Sequence, residues 1–468
     1  MTRESQLLDA YGRPIVLEAL TEEQAAPTLA GIRNIYSVID DSIGLTPEKI
    51  SGILRTAEFG DPWLFLELAE RIEEKDLLYQ GVLHTRKMAV SQLEIGVQAA
   101  GEDAEALADA DYVRALLIDG PVDLHDVIFE MLDSLGKGFS CTEIVWDTNG
   151  RNLISGRPEW IPAQLKWRDP RWFMFDWISG EEILVRTLRT DGPQIPVGPD
   201  SWDSRLSPMN LRIRADGAHE VGIQPATQPL APFKFLTHIT RAKAGLPIRG
   251  GLARIAIWSY LFKNYVLKDW VVFAEVYGQP LRLGRYGPGA TENDKAALLR
   301  AVTNIGTDAA AIIPESMAVE FVGNQQSSAS ADLYEKLCGY IDRQVTIGVL
   351  GQELTTQLPH GGGSRAAAEV HDVVRRDIAT DDARRVCATL NRDLVKPVID
   401  LNRGPRRRYP KIRMDFTQIE DLAQLAEGLG PLIDRGLQIS ERWLRSKFGA
   451  PDPQDGDTLL HPQKNSAN

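Results

Sequence analysis

The chain has 468 residues, of which 43% are apolar and 25% charged, and its formal net charge is −13. This composition is close to the globular average and excludes disorder over most of the chain. The length predicts two or three domains, or one domain with large extensions. No signal peptide or membrane-spanning window is apparent. The three cysteines are far apart in the sequence, which argues against disulfides and against a cysteine zinc site. We therefore expect the chain to be cytosolic or to be assembled in a cytosol.

The charge is unevenly distributed along the chain. Residues 1–240 carry 22 basic and 38 acidic side chains, whereas residues 241–468 carry 30 basic and 27 acidic ones. An acidic first half argues against a general nucleic-acid binder, which presents a basic face. It is compatible with a protein that lets DNA pass without holding it.

The first half is predicted to be an arm followed by a mixed region of helices and strands. Residues 1–45 are the arm, because prolines and glycines interrupt them. Helices are predicted from Thr46 with Pro47, from Asp61 with Pro62, from Asp76 to Val90, and near 104–117 and 122–135. Strands are predicted at Gln92–Ala99, Ser140–Asp147, Gln164–Arg168, Trp172–Asp176 and Ile183–Leu188. Residues 190–231 are predicted to be a long loop, since Pro, Gly, Asp and Ser dominate them.

The second half opens with a long apolar helix, predicted at Leu252–Glu275. This helix would span roughly 36 Å. Apolar side chains wrap most of its circumference, so several of its sides must be covered. Packing within its own chain is the commoner explanation, and copies of the same helix from neighbouring subunits are the alternative.

The remaining elements are helices and strands separated by glycine-rich or polar segments. Gly278–Gly289 is rich in turns, and a helix then opens at Thr291 with a capping box completed by Asp294. We predict strands at Ala309–Pro314 and Ala318–Val322, a polar linker at Asn324–Ser330, a helix at Asp332–Leu350 and a mobile loop at Gly351–Ser364. A helix at Arg365–Lys396 is predicted to end or kink at Pro397, and Thr417–Phe448 to be helical with breaks at Gly428, Gly430 and Pro431.

Motifs for catalysis are not found in the sequence. It has no Walker A loop, no Gly-x-Ser-x-Gly elbow and no His-Glu-x-x-His helix, and its acidic clusters single out no metal site. The basic run Arg403–Arg413 is interpreted as a solvated turn or a partner for the acidic first half, in preference to a phosphate contact. The glycine-rich loop could cradle an anion, connect two helices flexibly, or act as a hinged loop that changes shape.

The order of the parts resembles a known family. A long apolar helix precedes a strand-rich insert, a second helix, a glycine-rich loop and a very long helix. The stretches KDWVVFAEVYGQPLRLGRY, DKAALLRAVTNIGTDAAAIIPESMAVEFV and IGVLGQELTT within Arg254–Leu354, with LKWRDPRWFMFDW before them, resemble the Mu-like portal family of tailed bacteriophages. The resemblance covers roughly residues 40–420.

The resemblance implies an α+β portal-type fold with an α/β wing, a two-helix stem, a small α/β clip and a short helical crown. The implied parts are an N-terminal arm (1–45), the wing (46–250), stem helix 1 (251–275), the clip (276–330), stem helix 2 (331–350), the tunnel loop (351–364), the long wing helix (365–400), and the wing completion, crown and tail (401–468).

Three groups of site residues follow from the resemblance. The DNA-facing tunnel loop would use Gln352, Thr355, Thr356, Gln357, Pro359, His360, Gly361, Gly362 and Gly363. The stem would pack through Ile255, Trp258, Leu261, Phe262, Tyr265 and Trp270. The clip would meet the adaptor through Arg282, Arg285, Tyr286 and Lys295.

The resemblance further implies a ring of about twelve subunits at one vertex of the head, in the virion and, during assembly, in the host cytoplasm. Double-stranded DNA would pass along its axis, and the terminase large subunit, the head–tail adaptor and the major capsid protein would be its partners. No cofactor, metal or enzymatic activity is implied. Two alternatives are a nucleic-acid-processing enzyme that uses scattered carboxylates, and a structural head or baseplate protein without a channel.

Overall fold

The computed structural model describes residues 7–8, 12–28, 33, 44–148, 159–187, 211–213, 219–221, 226–278, 282–304, 310–314, 327–352, 365–414 and 422–448, and all structural statements concern them. The chain divides into a large unit, Met1–Met414, and a small unit, Asp415–Asn468.

The large unit mixes helices and strands, as predicted. Its helices are α1 (Glu18–Thr21), α2 (Pro47–Glu58), α3 (Trp63–Lys75), α4 (Leu77–Ser91), α5 (Ala104–Val113), α6 (Leu124–Met131), α7 (Ser134–Lys137), α8 (Ala253–Gly278), α9 (Glu292–Asn304), α10 (Ser327–Leu350), α11 (Arg365–Leu390) and α12 (Lys396–Arg403). Its strands are β1 (Ile95–Gln98), β2 (Phe139–Asp147), β3 (Ile161–Arg168), β4 (Phe173–Phe175), β5 (Ile183–Thr187), β6 (Leu211–Ile213), β7 (His219–Val221), β8 (Ala226–Pro229), β9 (Phe235–Ile239), β10 (Arg282–Tyr286), β11 (Ala310–Pro314) and β12 (Lys411–Met414).

Local capping signals set several helix starts at the predicted residues. The hydroxyl of Thr46 accepts a hydrogen bond from Lys49 N at 3.2 Å, and Pro47 takes the first helical position of α2. The carboxylate of Asp76 accepts from the first amides of α4. Thr291 and Asp294 form the predicted capping box, since each backbone amide donates to the other side chain at 2.9 and 3.3 Å.

Two antiparallel three-stranded sheets form the centre of the large unit. Their strand orders are β3-β2-β9 and β4-β5-β8. The central strand β2 is buried along most of its length. Phe139 of β2 meets Phe175 of β4 edge to face, with ring centroids 4.9 Å apart, so side chains of the two sheets share one core.

The N-terminal arm is anchored in this core, although its sequence shows little periodicity. Leu20 and Ala25 are buried. The backbone amides of Gln24 and Ala25 donate to the carboxylate of Glu143 on β2, which also accepts from Arg168 at 2.9 Å. These partners are more than 100 positions from the arm, so only the folded chain reveals the anchor.

Several element boundaries differ from the sequence predictions. The loop predicted at 190–231 includes strands β6, β7 and β8, and strand β9 was not predicted. The last residues of the predicted linker belong to α10, which begins at Ser327. Pro397 does not end the long helix, because a π-helical turn at Asn391–Val395 leads into α12. The strand predicted at Ala318–Val322 lies outside the described residues.

The small unit contains two described helices, α13 (Leu422–Asp434) and α14 (Glu441–Phe448). The predicted breaks at Gly428, Gly430 and Pro431 are wrong, because α13 continues through all three. The helix ends instead at a turn in which Gly436 adopts φ +99° and its amide donates to Ile433 O at 2.9 Å.

Candidate functional site

The start of α8 is fixed to the body of the large unit by a close backbone contact. A Cβ atom at Gly251 would lie 2.4 Å from the carbonyl oxygen of Gly136, so no other residue fits. The next amide, Leu252 N, donates to Leu135 O at 2.8 Å. The two residues that precede α8 are therefore held against α7, and this contact sets the direction in which α8 starts.

A carboxylate at the end of α2 reinforces this junction. Glu58 accepts hydrogen bonds from Arg249 and Arg254, each at 2.5 Å. Burial alone would raise the pKa of Glu58, but the two arginines outweigh it and hold that pKa below its usual range. The carboxylate is thus charged at neutral pH and joins α2 to the start of α8.

The first half of α8 belongs to the core of its own chain. One face at helical spacing is buried, and it consists of Ala253, Ala256, Ile257, Tyr260 and Leu261. Leu261, which was predicted to pack in the stem, is 1% exposed and is buried within its own chain. Its burial needs no second copy.

Helices α8 and α10 pack against each other in antiparallel directions, so that Gly348 lies near Ile255, Asp342 near Lys263 and Tyr334 near Trp270. The rings of Trp270 and Tyr334 stack with an interplanar angle of 11° and centroids 6.3 Å apart. Phe273 also meets Tyr334, at 5.7 Å. Trp270, also predicted to pack in the stem, thus contacts α10 of its own chain.

A partly buried ion-pair cluster ties this helix pair to α4. Lys263 of α8 lies 2.6 Å from Asp342 of α10 and 3.4 Å from Asp76, the N-cap of α4. Burial alone would lower the pKa of Lys263, but the hydrogen bond to Asp342 and the charge of Asp76 outweigh it, so the pKa lies above its ordinary value. Lys263 therefore stays charged and fixes the relative positions of three helices.

An apolar stripe on α10 is exposed. It consists of Leu333, Leu337, Tyr340 and Ile347, which are 65%, 42%, 56% and 39% exposed. Their spacing of four, three and seven residues places them on one helix face. This stripe was not predicted from the sequence, because the same helix buries a second apolar face and the spacing alone does not show which face is covered.

Helix α8 adds a second exposed apolar group, which consists of Ile255, Phe262, Tyr265, Leu267, Val271 and Val272. The first three were predicted as stem-packing residues, whereas Trp258 is half-buried. The hydroxyl of Tyr265 donates to Leu45 O at 2.7 Å while part of its ring remains exposed. Exposed apolar surfaces of this extent on two paired helices are typical of interaction sites.

The residues predicted to contact an adaptor lie on a small βαβ unit. Strands β10 and β11 are parallel, and α9 between them contacts both. The ammonium of Lys295 lies 5.1 Å from the ring centre of Tyr286 and 2.6 Å from Glu292. Arg285 is exposed on the opposite face of the strand from Tyr286. Arg282 opens β10 opposite Ala310. Arg285 and Tyr286 therefore face in opposite directions, and a partner that docks on one face of β10 would contact only one of them.

Of the predicted tunnel-loop residues, the structure describes Gln352 alone. Gln352 is 3% exposed, so its side chain is part of the protein interior, which corrects the prediction that it faces DNA. The preceding Gly351 adopts φ +72° and ends α10. The other eight predicted residues, between Thr355 and Gly363, lie outside the described residues and remain predictions.

The basic run contacts the acidic first half, which was one of the two interpretations favoured for it. Arg403 and Arg406 donate to the buried carboxylate of Asp109 on α5 at 2.8 and 2.9 Å. The guanidinium of Arg403 also stacks over Tyr112, 4.5 Å from its ring centre. Strand β12, which ends the run, pairs with β1. These arginines join distant parts of the large unit.

Within the described ranges, no group of three or more His, Cys, Asp and Glu side chains is arranged to hold a metal ion. Among the same residues, no helix is both long enough and apolar enough to cross a bilayer.

Comparison with known proteins identifies the family of the chain. Residues 66–450 match the family model described as the portal protein of Mu bacteriophage. The Mu-like prophage FluMu protein gp29 of Haemophilus influenzae is 33% identical over 461 residues, which cover 98% of this chain and 80% of that protein. The portal protein of Escherichia phage Mu is 30% identical over 423 residues, which cover 90% and 73%.

Among solved structures, a chain in the neck of a native GTA particle, computed with C12 symmetry, aligns with a TM-score of 0.47 and 11% identity, over 88% of this chain and 96% of that one. The sequence matches place the chain among phage portal proteins. Within that class, it belongs to the family of the portal protein of Mu bacteriophage.

Proposed function

We propose that this chain assembles through α8 and α10 into a closed ring at one vertex of the phage head, and that double-stranded DNA enters and leaves the head through it. The exposed stripe of α10 is the observation that carries the proposal. In a cyclic ring each subunit meets its neighbour through two different surfaces. The stripe on α10 and the exposed apolar group on α8 supply two such surfaces, and closure of the ring would cover both.

The charge of the chain supports the passage of DNA. With a net charge of −13 per chain, a ring of about twelve copies would be strongly acidic and would repel phosphate. A wall that repels the duplex would let it slide, while polar residues of the 355–363 segment would contact it transiently. Two of the six basic residues of the run are already paired within the fold, Arg403 with Asp109 and Arg406 with Asp109 and Glu105.

The remaining parts receive roles that fit their positions in the chain. The βαβ unit of β10, α9 and β11 would dock the head–tail adaptor, and the body built on the two central sheets would face the major capsid protein. The terminase large subunit would dock on the ring and supply the motor. The chain itself would then be a structural component of the virion without catalytic activity.

A deletion tests the role of the segment that follows α10. A variant that lacks residues 354–363 retains buried Gln352 and should still form rings, but phage complemented with it should package or retain little DNA. A variant with Gly and Ser at 355–360 keeps the length and separates the effect of length from that of side chains. Normal DNA content in particles that carry the deletion would refute the role of this segment.

A further inference from the structure

Arg86, in the middle of α4, binds two other helices at once. Its Nε and Nη2 donate to the two carboxylate oxygens of Asp382 on α11, at 2.7 and 3.1 Å. Its remaining nitrogen, Nη1, donates to the carbonyl oxygen of Val349 on α10 at 2.8 Å. The side chains of Arg86 and Asp382 are 14% and 5% exposed. We refer to these three residues as the Arg86 clasp.

The contact with Val349 caps the end of α10. The last four carbonyl groups of a helix have no partner within it, and Val349 is the penultimate residue of α10. The guanidinium also places a positive charge at the negative end of the helix dipole. Only arginine combines a two-pronged contact with a carboxylate and a third donor in one plane.

The chain leaves α10 in direct contact with α11. Gly351 adopts φ +72°, and a Cβ atom there would lie 2.7 Å from Ile378 and 3.3 Å from Val374. Helix α11 begins at Arg365, and Val374 lies roughly 14 Å further along the helix axis. Both ends of the 353–364 segment therefore start from helices that the Arg86 clasp holds together.

We propose that Arg86 is a positioning residue for the segment that follows α10. By tying the end of α10 to α11 and α4, it sets the point and direction in which the chain leaves α10. This inference deepens the proposed function and rests on it for one link, the role of the 353–364 segment in DNA passage. The other link, that Arg86 holds the end of α10 against α11 and α4, does not depend on the proposed function.

Hydrogen exchange on the full-length protein tests that hold directly. The double variant R86M/D382L removes both charges and leaves no unpaired carboxylate, so the fold should persist. Amides of residues 346–352 should exchange at least tenfold faster than in the wild type, whereas amides in the first turns of α4 should not change. R86K should show an intermediate effect, because the lysine ammonium keeps only part of the three hydrogen bonds that Arg86 donates to Asp382 and Val349.

A matched control lies on α11, two residues after Asp382. Arg384 pairs with Asp381 at 2.5 Å, but the pair is exposed, so R384A should leave exchange at 346–352 unchanged. Wild-type exchange at 346–352 in R86M/D382L would overturn the proposal.

DNA content in complemented phage particles tests the second link. We expect R86M/D382L to form rings and to retain at least tenfold less DNA than the wild type, with R384A at the wild-type level. Faster exchange with normal DNA content would overturn the positioning role. If particles that carry only the deletion of residues 354–363 package DNA as well as the wild type, the proposed role of that segment fails. The exchange result still shows whether the Arg86 clasp holds the end of α10.

Discussion

The substitution Leu337→Asp tests whether the exposed stripe of α10 is an interface between subunits. Leu337 is 42% exposed in the single chain, so an aspartate there meets solvent and disturbs little of the monomer. Surface substitutions of this kind change the free energy of unfolding by about 0.5 kcal/mol or less. In a ring, however, the same side chain would be buried against the neighbouring subunit.

The size of the effect follows from the exposed fraction. Complete burial of a leucine side chain contributes about 1.5–3 kcal/mol, so burial of the part still exposed at Leu337 contributes about 1 kcal/mol. An unpaired carboxylate in the contact costs at least about 2 kcal/mol more. Each interface is then weakened by about 3 kcal/mol, which is more than a hundredfold in the association constant.

Sedimentation velocity against protein concentration measures this change. We expect the Leu337→Asp variant to sediment as small species at concentrations where the wild type forms rings, with an unchanged melting temperature of the monomer. Gly339→Asp is the matched control, because it adds the same charge two residues away where a Cβ meets nothing within 4 Å. Wild-type ring formation by Leu337→Asp, or equal loss of rings in both variants, would refute the interface.

Three further predictions concern contacts within the large unit. Lys263→Met should lower the free energy of unfolding by about 3 kcal/mol at pH 7. Because the folded-state pKa of Lys263 is raised, its stabilisation is complete below the ordinary lysine pKa of about 10.4 and is lost as pH rises through the higher folded pKa. Urea unfolding of both proteins should therefore converge only above that range, and a difference that vanishes near pH 8 would contradict the assignment. Asp109→Asn should cost about 3 kcal/mol, since two arginines lose their buried partner, whereas Asp111→Asn, in an exposed pair on the same helix, should cost less than about 1 kcal/mol by the same method. Gly251→Ala should destabilise the protein by about 3 kcal/mol or prevent its folding, while Gly81→Ala, where a methyl group meets nothing within 4 Å, should raise the melting temperature slightly; equal melting temperatures for the two would contradict the close contact at Gly251.

The predictions from sequence succeeded where the signal is local. The helix starts predicted at Thr46 and Asp76 coincide with caps that join groups within three residues of each other, and the predicted capping box at Thr291 is equally local. The hydrogen bond between Arg403 and Asp109 joins residues nearly 300 positions apart. One of the two interpretations favoured for the basic run named the acidic half of the chain as its partner, but no pattern in the sequence identifies the carboxylate.

The candidate site shows the same limit more sharply. Leu261 and Phe262 are adjacent and both apolar, yet one is buried in its own chain and the other is half exposed. The sequence indicates that α8 is apolar on most sides, but which side its own chain covers depends on the junction at Gly251 and on the ion pair of Lys263. Tertiary contacts therefore decided which of the predicted stem residues remain available for a neighbouring subunit.

An image of the purified full-length assembly, with its rotational symmetry counted, tests the central claim most directly. We expect closed rings with an open centre wide enough for a DNA duplex, and we expect the Leu337→Asp variant to form none. Compact single copies at the concentrations and gentle buffer conditions of assembly, with the stripe of α10 still exposed to solvent, would contradict it.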